Sequence, residues 1–573
     1  MKVVIIGGVA GGATAAARLR RLDEQAEIIM IERTGYVSYA NCGLPYFIGG
    51  AITERRKLTL QTPESFHNRF RIDVRVRQEV VAIARAAHEV IVRDLETGET
   101  YAESYDKLIL SPGARAVVPG LPGVDAERLF TLRTVEDTFR IHGFVEREQP
   151  RSAVVVGAGF IGLEMAENLR ERGLDVTVVQ RGGHVMPTLD ADMAAIAHNH
   201  LRNHGIDLKL DANVEAFEPQ ADGSMLTRVE GSEPLSSDMV VLAVGVAPEG
   251  TLAREAGLEL GIRGSIAVDE HMRTSDEDIY AVGDAVQVKN FVTGDDALIA
   301  LAGPANKQGR IAADNICGIE SRFSGSQGSS VLKLFDLTVA GTGLTEVAAR
   351  AAGIEAQHVV LSPASHATYY PGSSSMTMKV LFEAGTGRIL GAQAIGMDGV
   401  DKRIDVLATA IRAHMDATDL TELDLAYAPP YSSAKDPVNM AGYLIENILE
   451  GRVEQVDWNR AIAPADDEMV LDTRTAGEHA RGAVDGAVHI PLDELREHLD
   501  ELPRDKRLLV YCQSGLRSYV YCQSGLRSYV ACRILAQHGF ACANVAGGYG
   551  FYQETRLDAE RRRTDVADCG IAL

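Results

Sequence analysis

The segment Lys2-Val-Val-Ile-Ile6, the turn Gly7-Gly-Val-Ala-Gly-Gly12 and the alanine-rich stretch after it decide the fold. The apolar run predicts a buried parallel strand, and the alanine-rich stretch predicts a helix. A second apolar strand, residues 28–31, leads into Glu32. Glycines at such a turn let the backbone approach a pyrophosphate, and an acid at the end of the second strand accepts hydrogen bonds from a ribose. Although Val9 replaces the middle glycine of the usual motif, the pattern predicts a Rossmann-like dinucleotide-binding domain.

A second and cleaner copy of this pattern occupies residues 153–179, with the turn Gly157-Ala-Gly-Phe-Ile-Gly162 between strand and helix. The position at the end of its second strand holds Gln180, and Arg181 follows. Without a carboxylate the ribose 2′-hydroxyl loses its usual acceptor, whereas an arginine tolerates a 2′-phosphate. The sequence therefore predicts a second dinucleotide site, and the preference between NADH and NADPH stays open.

A third segment predicts that one dinucleotide domain is inserted into the other. Residues 274–285 contain Gly283 and Asp284 after an apolar strand. We expect this segment to open a helix and to contact the ribityl chain of FAD. The segments 111–114 and 243–248, which contain glycine and proline, are expected to be the crossings between the two domains.

Cys42 lies in Ser38-Tyr-Ala-Asn-Cys-Gly-Leu-Pro-Tyr46, shortly after the first strand–helix–strand unit. The position that would complete a C-x4-C pair is Phe47. A redox cysteine without a protein partner must pair with something diffusible, such as a small thiol or persulfide, or pass through a sulfenic acid. Because the thiolate is the reactive form, we expect a helix N-terminus and neighbouring positive charge to depress its pKa.

Together these motifs resemble, over residues 1–450, the flavin-dependent pyridine nucleotide-disulfide oxidoreductases that use a single cysteine, namely coenzyme A-disulfide reductase, NADH oxidase and NADH peroxidase. The resemblance implies that FAD binds at the first fingerprint with Glu32 and Asp284. It implies that NAD(P)H binds at the second fingerprint and that Glu164 lies near the nicotinamide. The residues expected to contact the cofactors are Gly7, Gly8, Val9, Ala10, Gly11, Gly12, Glu32, Arg33, Ser111, Gly113, Gly157, Gly159, Phe160, Ile161, Gly162, Glu164, Gln180, Gly245, Gly283, Asp284 and Ala302.

The chemistry of Cys42 divides the members of this family. Oxidases and peroxidases cycle the sulfur through a sulfenic acid, whereas coenzyme A-disulfide reductases form a mixed disulfide with coenzyme A. The basic first helix and two tyrosine-containing segments, residues 365–372 and 426–437, resemble the coenzyme A enzymes. The positions that match substrate contacts of that group are Thr14, Arg18, Arg21, Ser38, Asn41, Arg71, Asn306 and Lys435.

In the coenzyme A enzymes, tyrosines from these two segments reach the active site of the partner subunit. Tyr369 and Tyr427 are the best matches, and Tyr370 and Tyr431 are neighbouring alternatives. A tyrosine hydroxyl can donate the proton that a departing thiolate needs. His366 is expected to be a surface or packing residue rather than an acid catalyst. The resemblance thus implies a homodimer whose active site is shared between subunits.

After residue 451 the character of the sequence changes, and the strand Arg507-Leu-Leu-Val-Tyr511 leads into Cys512-Gln-Ser-Gly-Leu-Arg517-Ser. This motif, with Asp472 and Arg474 upstream, resembles a rhodanese domain, in which backbone N–H groups form a cup around the cysteine. Such a cup, together with an arginine and a helix N-terminus, stabilises a thiolate or persulfide anion.

The rhodanese motif occurs twice, because residues 511–520 and 521–530 are identical. Removing either copy restores an ordinary rhodanese length. Cys512 and Arg517 keep the preceding strand intact, whereas Cys522 and Arg527 keep the following helix intact. Both copies remain candidates, with a preference for Cys512, in which case the extra residues must bulge out or extend the helix.

The amino-acid composition limits the kinds of molecule and compartment that suit this protein. The chain of 573 residues has a formal net charge of −23, which argues against nucleic acid and anionic membranes as partners. No stretch has the length of a membrane span, and the start of the chain does not read as a signal peptide. Seven cysteines do not suggest a disulfide framework, so we expect a reducing cytoplasm. Cys317, Cys532, Cys542 and Cys569 are expected to be packing thiols, and no metal site is predicted.

The predicted fold class is α/β, with an NAD(P) domain inserted in an FAD domain, an α+β dimerisation domain and a C-terminal rhodanese domain. The expected limits are 1–150 and 271–330 for the FAD domain, 151–270 for the NAD(P)H domain, 331–450 for the dimerisation domain and 455–573 for the rhodanese domain.

The resemblance to coenzyme A-disulfide reductase–rhodanese fusions, also described as NADH-dependent persulfide reductases, predicts the reaction. Electrons from NAD(P)H are expected to reach Cys42 by way of FAD, and Cys42 then reduces a coenzyme A persulfide, polysulfide or coenzyme A disulfide. Bound coenzyme A and the rhodanese cysteine are expected to carry sulfur between the two sites. The alternatives are a water-forming oxidase or peroxidase, and a rhodanese domain that acts only as a binding module.

Overall fold

The computed structural model describes residues 1–513 and 526–568. The helices are α1 Ala10–Leu22, α2 Leu44–Gly49, α3 Pro63–Phe70, α4 Val135–Glu148, α5 Phe160–Glu171, α6 Ala191–Asn203, α7 Thr251–Glu255, α8 Ala302–Ile316, α9 Glu346–Ala351, α10 Val400–Arg412, α11 Ala417–Glu422, α12 Pro437–Leu449, α13 Trp458–Ile462, α14 Ala476–His479, α15 Leu526–Gln537 and α16 Gly548–Asp568.

The strands of the first half of the chain are β1 Lys2–Ile6, β2 Glu27–Glu32, β3 Asp73–Val76, β4 Gln78–Ala84, β5 Glu89–Asp94, β6 Thr100–Ser104, β7 Lys107–Leu110, β8 Ala114–Ala116, β9 Leu129–Phe130, β10 Ser152–Val156, β11 Asp175–Val179, β12 Ile206–Lys209, β13 Val214–Pro219, β14 Met225–Val229, β15 Leu235–Ser237, β16 Met239–Leu242, β17 Val246–Pro248, β18 Ile279–Ala281, β19 Val288–Lys289 and β20 Asp296–Ala297. The later strands are β21 Ser330–Leu334, β22 Leu337–Gly343, β23 Ala356–Leu361, β24 Met376–Glu383, β25 Ile389–Gly396, β26 Gln455–Val456, β27 Glu468–Asp472, β28 Val488–His489, β29 Arg507–Tyr511 and β30 Cys542–Val545.

The chain divides into two compact units. The first unit comprises residues 1–182 and 205–328, and the second comprises residues 183–204 and 329–573. The predicted limits of the individual domains within these units stay predictions.

In the first unit, β1 lies at the centre of a parallel sheet of order β18-β7-β1-β2-β3. Val3 and Ile5 pack against residues of α1 and α8 on one face, while Val4 and Ile6 join the core that includes the antiparallel strands β4 and β5. Strands buried on both faces need apolar residues at successive positions, which explains the unbroken run at the start of the sequence.

The second parallel sheet of this unit has the order β12-β11-β10-β16-β9. Between the two sheets the chain crosses through β8 and returns through β17, which pair antiparallel with Ala116 opposite Val246. After the return, β18 pairs with β7 of the first sheet. The predicted insertion of one dinucleotide domain in the other is thereby confirmed, with its crossings at the predicted segments.

In the second unit, an antiparallel sheet of order β21-β22-β25-β24-β23 precedes a parallel sheet of order β26-β30-β29-β27-β28. Lys379 on β24 is buried, and its Nζ lies 3.2 Å from Asp190, 2.8 Å from Asp192 and 2.8 Å from Glu346. These ion pairs join residues 183–204, which include α6, to the antiparallel sheet of the second unit.

One sequence expectation is wrong in detail. Gly283–Ala285 form a short 3-10 turn rather than the start of an α-helix, and the next helix, α8, begins at Ala302. Asp284 therefore lies at a strand end, held by the turn, and the helix N-terminus comes from a later segment. Within the described ranges, no helix combines the length and hydrophobicity of a membrane-spanning segment.

Helices α1 and α8 approach each other at two glycines. A Cβ on Gly309 would lie 2.3 Å from the carbonyl oxygen of Gly11, a distance that real Cβ atoms do not adopt. Gly309→Ala should force the helices apart and destabilise them by about 1–3 kcal/mol, as overpacking of cores does. Amide hydrogen exchange in α1 and α8 measures this change.

Gly143→Ala is the matched control, because Gly143 lies inside α4 and its Cβ would meet no atom within 4 Å. That variant should keep the exchange rates of α1 and α8 unchanged. Equal rates in Gly309→Ala and the wild-type protein would show that the two helices do not depend on this approach.

Candidate active site

Cys42 lies in a short turn, Asn41–Gly43, directly before α2. It is solvent-exposed and forms no disulfide. Phe47, which takes the place of a second cysteine, is a buried residue of α2 that packs edge-on against Phe139. The chain thus presents a single thiol to solvent at this place, without a protein thiol to pair with among the described residues.

The electrostatic surroundings of Cys42 differ from the sequence expectation. Desolvation raises the pKa of the thiol, and the carboxylates of Glu164 and Asp284 raise it further, while Arg133 lowers it. The expected depression of the pKa is therefore wrong for the protein chain by itself. The helix that follows Cys42 was visible in the sequence, but the two acids come from distant segments and outweigh the single arginine.

Glu164 on α5 is the second titratable group of this site. Burial and the neighbouring Glu167 raise the pKa of Glu164 to about 7, against a smaller opposing effect of a hydrogen bond with Tyr46. The carboxyl group therefore changes its protonation state near neutral pH. Since its charge acts on Cys42, the proton on Glu164 and the proton on the thiol are linked.

The first fingerprint has the geometry of a dinucleotide site. Glu32, at the end of β2, accepts a hydrogen bond from Gly8 N at 3.0 Å and one from Thr34 N at 2.9 Å. Gly7 has a φ of 94°, and a Cβ there would lie 2.1 Å from the carbonyl oxygen of Ser111. The N-cap residue of α1, Val9, makes no side-chain cap, and the first turn carries no acid. Oγ of Ser111 accepts a hydrogen bond from Gly12 N at 3.1 Å.

These features fit FAD. Uncapped N–H groups at a helix N-terminus accept a pyrophosphate, and a strand-end carboxylate accepts ribose hydroxyls. The start of α8 likewise has no side-chain cap within the described part of the chain and no acid in its first turn. Asp284 is paired with Arg133, whose NH2 lies 2.6 Å from Oδ2. Sequence analysis missed Arg133, because nothing near it in the sequence indicates this long-range pair.

The second fingerprint repeats the arrangement with an amide. Gln180 accepts a hydrogen bond from Ala158 N at 3.0 Å through Oε1, so it occupies the place that Glu32 has in the first copy. Helix α5 starts without a side-chain cap from any described residue and without an acid in its first turn. The site fits a pyridine nucleotide, and the exposed Arg181 beside it leaves both coenzymes open.

The other predicted cofactor residues lie in the first unit, at the starts of helices or in the turns next to strand ends. They are Val9, Ala10, Gly11, Gly12, Arg33, Gly113, Gly159, Phe160, Ile161, Gly162, Gly245, Gly283 and Ala302.

The predicted substrate residues of the first unit group partly together. Thr14 and Asn306 form a hydrogen bond between α1 and α8, and Arg18 pairs with the buried Asp314 at 2.7 Å. Arg21 is exposed at the end of the same helix. Arg20, between them, is a structural residue, because its guanidinium donates to four backbone carbonyl groups. The remaining predicted contacts, Ser38, Asn41 and Arg71, lie on the loops after β2 and α3.

In the second unit, the hydroxyl groups of Tyr369 and Tyr427 lie 2.8 Å apart and hydrogen-bond to each other. The two residues are 70% and 46% exposed, which is unusual for an ordered aromatic pair and leaves them available to a partner. Tyr370 and Tyr431 are also exposed, as is Lys435. His366 is buried with Nδ1 3.1 Å from the carbonyl oxygen of Ala367, the position of a packing residue.

Arg403 holds the two tyrosine loops together. Its buried NH2 donates to the carbonyl oxygen of Ser365, to Oγ of Ser432 and to Oδ2 of Asp436, at 3.0, 3.0 and 3.1 Å. Asp436 also caps α12 by accepting from Val438 N. Sequence analysis missed this residue, since an arginine inside an amphipathic helix gives no local sign of burial.

The rhodanese site combines the two copies of the repeat. Cys512, from the first copy, is buried at the end of β29, and Ser528, from the second, lies 3.4 Å from its Sγ. Arg527 binds both carboxylate oxygens of Glu478 at 2.6 and 2.8 Å and donates to the carbonyl oxygen of Gln513 at 3.3 Å. Arg517 and Cys522 lie outside the described residues.

The predicted Asp472–Arg474 pair is buried behind Cys512. Arg474 donates to both carboxylate oxygens of Asp472 and to Oε1 of Gln513. The hydroxyl of Tyr511 donates to Asp472 at 2.8 Å. This network fixes the strand that ends at the cysteine.

Although desolvation acts in the opposite direction, the hydrogen bonds from Arg527 and Thr475 lower the pKa of Glu478 to about 2. The carboxylate that binds Arg527 therefore stays charged at neutral pH.

Comparison with known proteins identifies the class. The family model for pyridine nucleotide-disulphide oxidoreductases matches residues 1–309, the model for their dimerisation domain matches residues 329–437, and the model for rhodanese-like domains matches residues 456–555. The chain belongs to the pyridine nucleotide-disulphide oxidoreductase family, and carries a dimerisation domain and a rhodanese-like domain. The predicted resemblance is confirmed, and with it the use of FAD and a pyridine nucleotide.

Three relatives are similar to this protein over most of its length. A coenzyme A disulfide reductase of Staphylococcus haemolyticus is 37% identical over 77% of this chain and 98% of the relative. The crystal structure of reduced Bacillus anthracis CoADR-RHD is 48% identical, with a TM-score of 0.93 over 97% of this chain and 98% of that one. An NAD-dependent persulfide reductase from A. fulgidus is 39% identical, with a TM-score of 0.89 over 96% of this chain and 100% of that one.

Removing the charge of Glu164 should make Cys42 more acidic. Since the Glu164 carboxylate raises the pKa of the thiol, Glu164→Gln should shift the pH profile of Cys42 alkylation by iodoacetamide to lower pH. The measurement uses the NADH-reduced protein and mass spectrometry of the modified peptide. Glu171→Gln, at an exposed position on the same helix, should leave the profile in place. A profile for Glu164→Gln that is unshifted or shifted to higher pH contradicts the assignment.

Replacing Arg403 should loosen the tyrosine loops. Arg403→Met removes the nearer cation of the buried Asp436 and leaves Lys402, whose Nζ lies 3.8 Å from Oδ2. Breaking a buried pair costs up to about 3–5 kcal/mol. Amide hydrogen exchange in residues 362–375 and 426–436 should accelerate correspondingly. Arg412→Met, an exposed arginine on the same helix, is the control and should leave these rates unchanged. Protection of both loops at the wild-type level in Arg403→Met would rule out the anchor.

Proposed function

We propose that the protein is an NAD(P)H-dependent reductase of coenzyme A persulfide, polysulfide or coenzyme A disulfide, with Cys42 as the redox residue. The observation that carries this proposal is the single exposed thiol beside Glu164, with the buried Phe47 where a second cysteine would stand. The relatives named above support it: the coenzyme A disulfide reductase over 77% of the chain and the persulfide reductase over 96%.

The sulfur chemistry balances without a second protein thiol. The Cys42 thiolate attacks the inner sulfur of a coenzyme A persulfide, forms a mixed disulfide with coenzyme A and releases hydrosulfide. With coenzyme A disulfide the leaving group is the coenzyme A thiolate. Two electrons and a proton then return Cys42 to the thiolate and release the coenzyme A thiol. When bound, FAD supplies the two-electron relay from NAD(P)H to this sulfur.

The residues of the chain control the protons and the position of the substrate. With a pKa of about 7, Glu164 is protonated in part of the population at neutral pH, and its neutral form no longer opposes the Cys42 thiolate. Thr14, Arg18, Arg21 and Asn306, with Ser38, Asn41, Arg71 and Lys435, are proposed to hold coenzyme A. The family resemblance supports this substrate site, and the positive charge of the arginines suits its phosphates.

We infer a homodimer in which the Tyr369–Tyr427 pair of one subunit serves Cys42 of the other. The exposed aromatic pair lies on the dimerisation domain, and Arg403 fixes both of its loops. In that position a tyrosine hydroxyl donates a proton to the leaving sulfur.

Free thiols that must stay reduced are consistent with a cytoplasmic location.

Cys512 is proposed to carry sulfane sulfur as a persulfide within the rhodanese-like domain. Its buried place at the end of β29, the hydroxyl of Ser528 and the nearby Arg527 and Arg474 support this role. Sulfur loaded there passes to coenzyme A and is reduced at Cys42.

Two cysteine variants separate the two activities. Cys42→Ser should lose anaerobic NADH-dependent sulfide release from coenzyme A persulfide by several orders of magnitude, as removal of a catalytic nucleophile does. Cys512→Ser should keep that activity and lose sulfur transfer from thiosulfate. Cys317→Ser, at a partly buried packing position, is the control and should keep both activities.

Three results would count against the proposal. Sulfide release by Cys42→Ser at the wild-type rate would remove the redox role of Cys42. Faster consumption of oxygen or peroxide than of any thiol substrate would favour a water-forming oxidase or peroxidase. Absence of sulfur transfer from thiosulfate in the wild-type protein would leave the rhodanese-like domain as a binding module, and unchanged transfer in Cys512→Ser would assign the chemistry to Cys522.

A further inference from the structure

Two histidines and an aspartate, which we call the His–His–Asp cluster, meet at the end of α6. His200 and His204 are one helical turn apart, and such i, i+4 pairs lie on the same face of a helix. Asp336 lies in the turn of the hairpin that joins β21 to β22. All three residues belong to the second unit, and the proposed reductase and rhodanese chemistry uses none of them.

The donor atoms of the cluster are spaced for one metal ion. Nε2 of His200 lies 2.9 Å and Nε2 of His204 lies 3.6 Å from Oδ1 of Asp336. One ligand atom from each residue lies within 4.8 Å of the other two. Zinc-like ions bind imidazole nitrogen at about 2.0–2.1 Å, so the ligand atoms of a tetrahedral site lie about 3.3–3.4 Å apart. The observed spacing brackets that value.

Hydrogen bonds at the other ring nitrogen orient His204 for metal binding. Nδ1 of His204 lies 2.9 Å from the carbonyl oxygen of His200, which can only accept, so Nδ1 carries the proton. In the neutral ring, the lone pair of Nε2 then points toward the Asp336 carboxylate. A metal ion between these two acceptor atoms would be bound by both. This pattern, with a backbone carbonyl behind the ligand, is common for histidines that bind metals.

His200 leads to the same conclusion. Its buried Nε2 lies 2.9 Å from Oδ1 of Asp336, but the angles of this contact are poor for a hydrogen bond. The ring also has a backbone hydrogen bond with Leu334. A buried polar atom without a hydrogen bond is costly and calls for a partner. A metal ion placed among the three side chains satisfies it.

The hairpin turn holds Asp336 in place at a conformational cost. Phe335 and Asp336 are the two central residues of this turn, since Leu334 pairs with Leu337. Phe335 has a φ of 58°, a region that favours glycine or asparagine in such turns and costs other residues about 1–3 kcal/mol. Its ring stacks on His204, with centroids 4.3 Å apart and planes at 8°. The stacking helps to offset this strain and keeps the carboxylate beside the histidines.

We propose that His200, His204 and Asp336 bind one divalent transition-metal ion of the zinc or nickel class, through the two Nε2 atoms and the carboxylate. Three protein ligands leave a fourth position for water. The ion joins the end of α6 to the β21–β22 hairpin and stabilises both. Sequence analysis predicted no metal site, because the aspartate that completes the cluster is far from the histidine pair in the chain. The H-x3-H spacing was the available signal.

Calorimetric titration of the FAD-loaded full chain with Ni²⁺ tests the proposal. Ni²⁺ is chosen because imidazole suits it, whereas zinc also binds the thiolates of this chain. The wild-type protein should bind one ion per chain at this site. His204→Asn and Asp336→Asn should each weaken that binding by at least about tenfold, as the loss of even a second-shell partner does. Asp336 is exposed, so its substitution should not impair folding.

His88→Asn is the matched control, because His88 is a half-exposed histidine that also faces an aspartate, Asp278, at 3.8 Å. That variant should bind Ni²⁺ like the wild-type protein. As an independent readout, Ni²⁺ should slow amide exchange in residues 191–204 and 330–343 of the wild-type protein and of His88→Asn only. Absence of binding by the wild-type chain at millimolar Ni²⁺, or equal binding by His204→Asn, would overturn the proposal.

Discussion

The close approach of α1 to the first strand and to α8 is the constraint on which the first unit depends. A side chain at Gly12 would meet the carbonyl oxygen of Gly7 at 2.0 Å, and one at Gly309 would meet that of Gly11 at 2.3 Å. Only backbone fits between these elements. The starts of α1 and α8, neither of which carries an acid in its first turn, are thereby fixed in one unit, and both can face an anionic cofactor with their N–H groups.

The two nucleotide sites differ in the residue at the end of the second strand, which is a glutamate in the first site and a glutamine in the second. Glu32 and Gln180 each accept a hydrogen bond from the turn of their own fingerprint, at 3.0 Å. The glutamate adds a charge that suits ribose hydroxyls, whereas the amide adds none. The common hydrogen bond thus preserves the turn, and the chemical difference is confined to what the position offers a ligand.

Local sequence patterns predicted the strands, the fingerprints and the insertion of one domain in the other, since these depend on apolar periodicity and glycine turns close in sequence. Strands β1 and β29 begin and end at the predicted residues. Arg133, Arg403 and Glu478 escaped prediction because each acts through a partner far away in the chain. The predicted direction of the Cys42 pKa was wrong because desolvation, the largest cause, and two acids supplied by α5 and by the turn after β18 raise it, and none of these is visible in the sequence around Cys42.

The electrostatic coupling between Cys42 and Glu164 affects when Glu164 binds and releases a proton. If the carboxylate makes the thiol harder to ionise, a thiolate must in turn make the carboxyl group hold its proton more tightly, because such coupling is reciprocal. Converting the sulfur to a neutral mixed disulfide removes that negative charge and lets Glu164 release the proton. In the proposed cycle, the carboxyl group of Glu164 therefore binds and releases one proton as the sulfur alternates between thiolate and mixed disulfide, although it accepts no electrons itself.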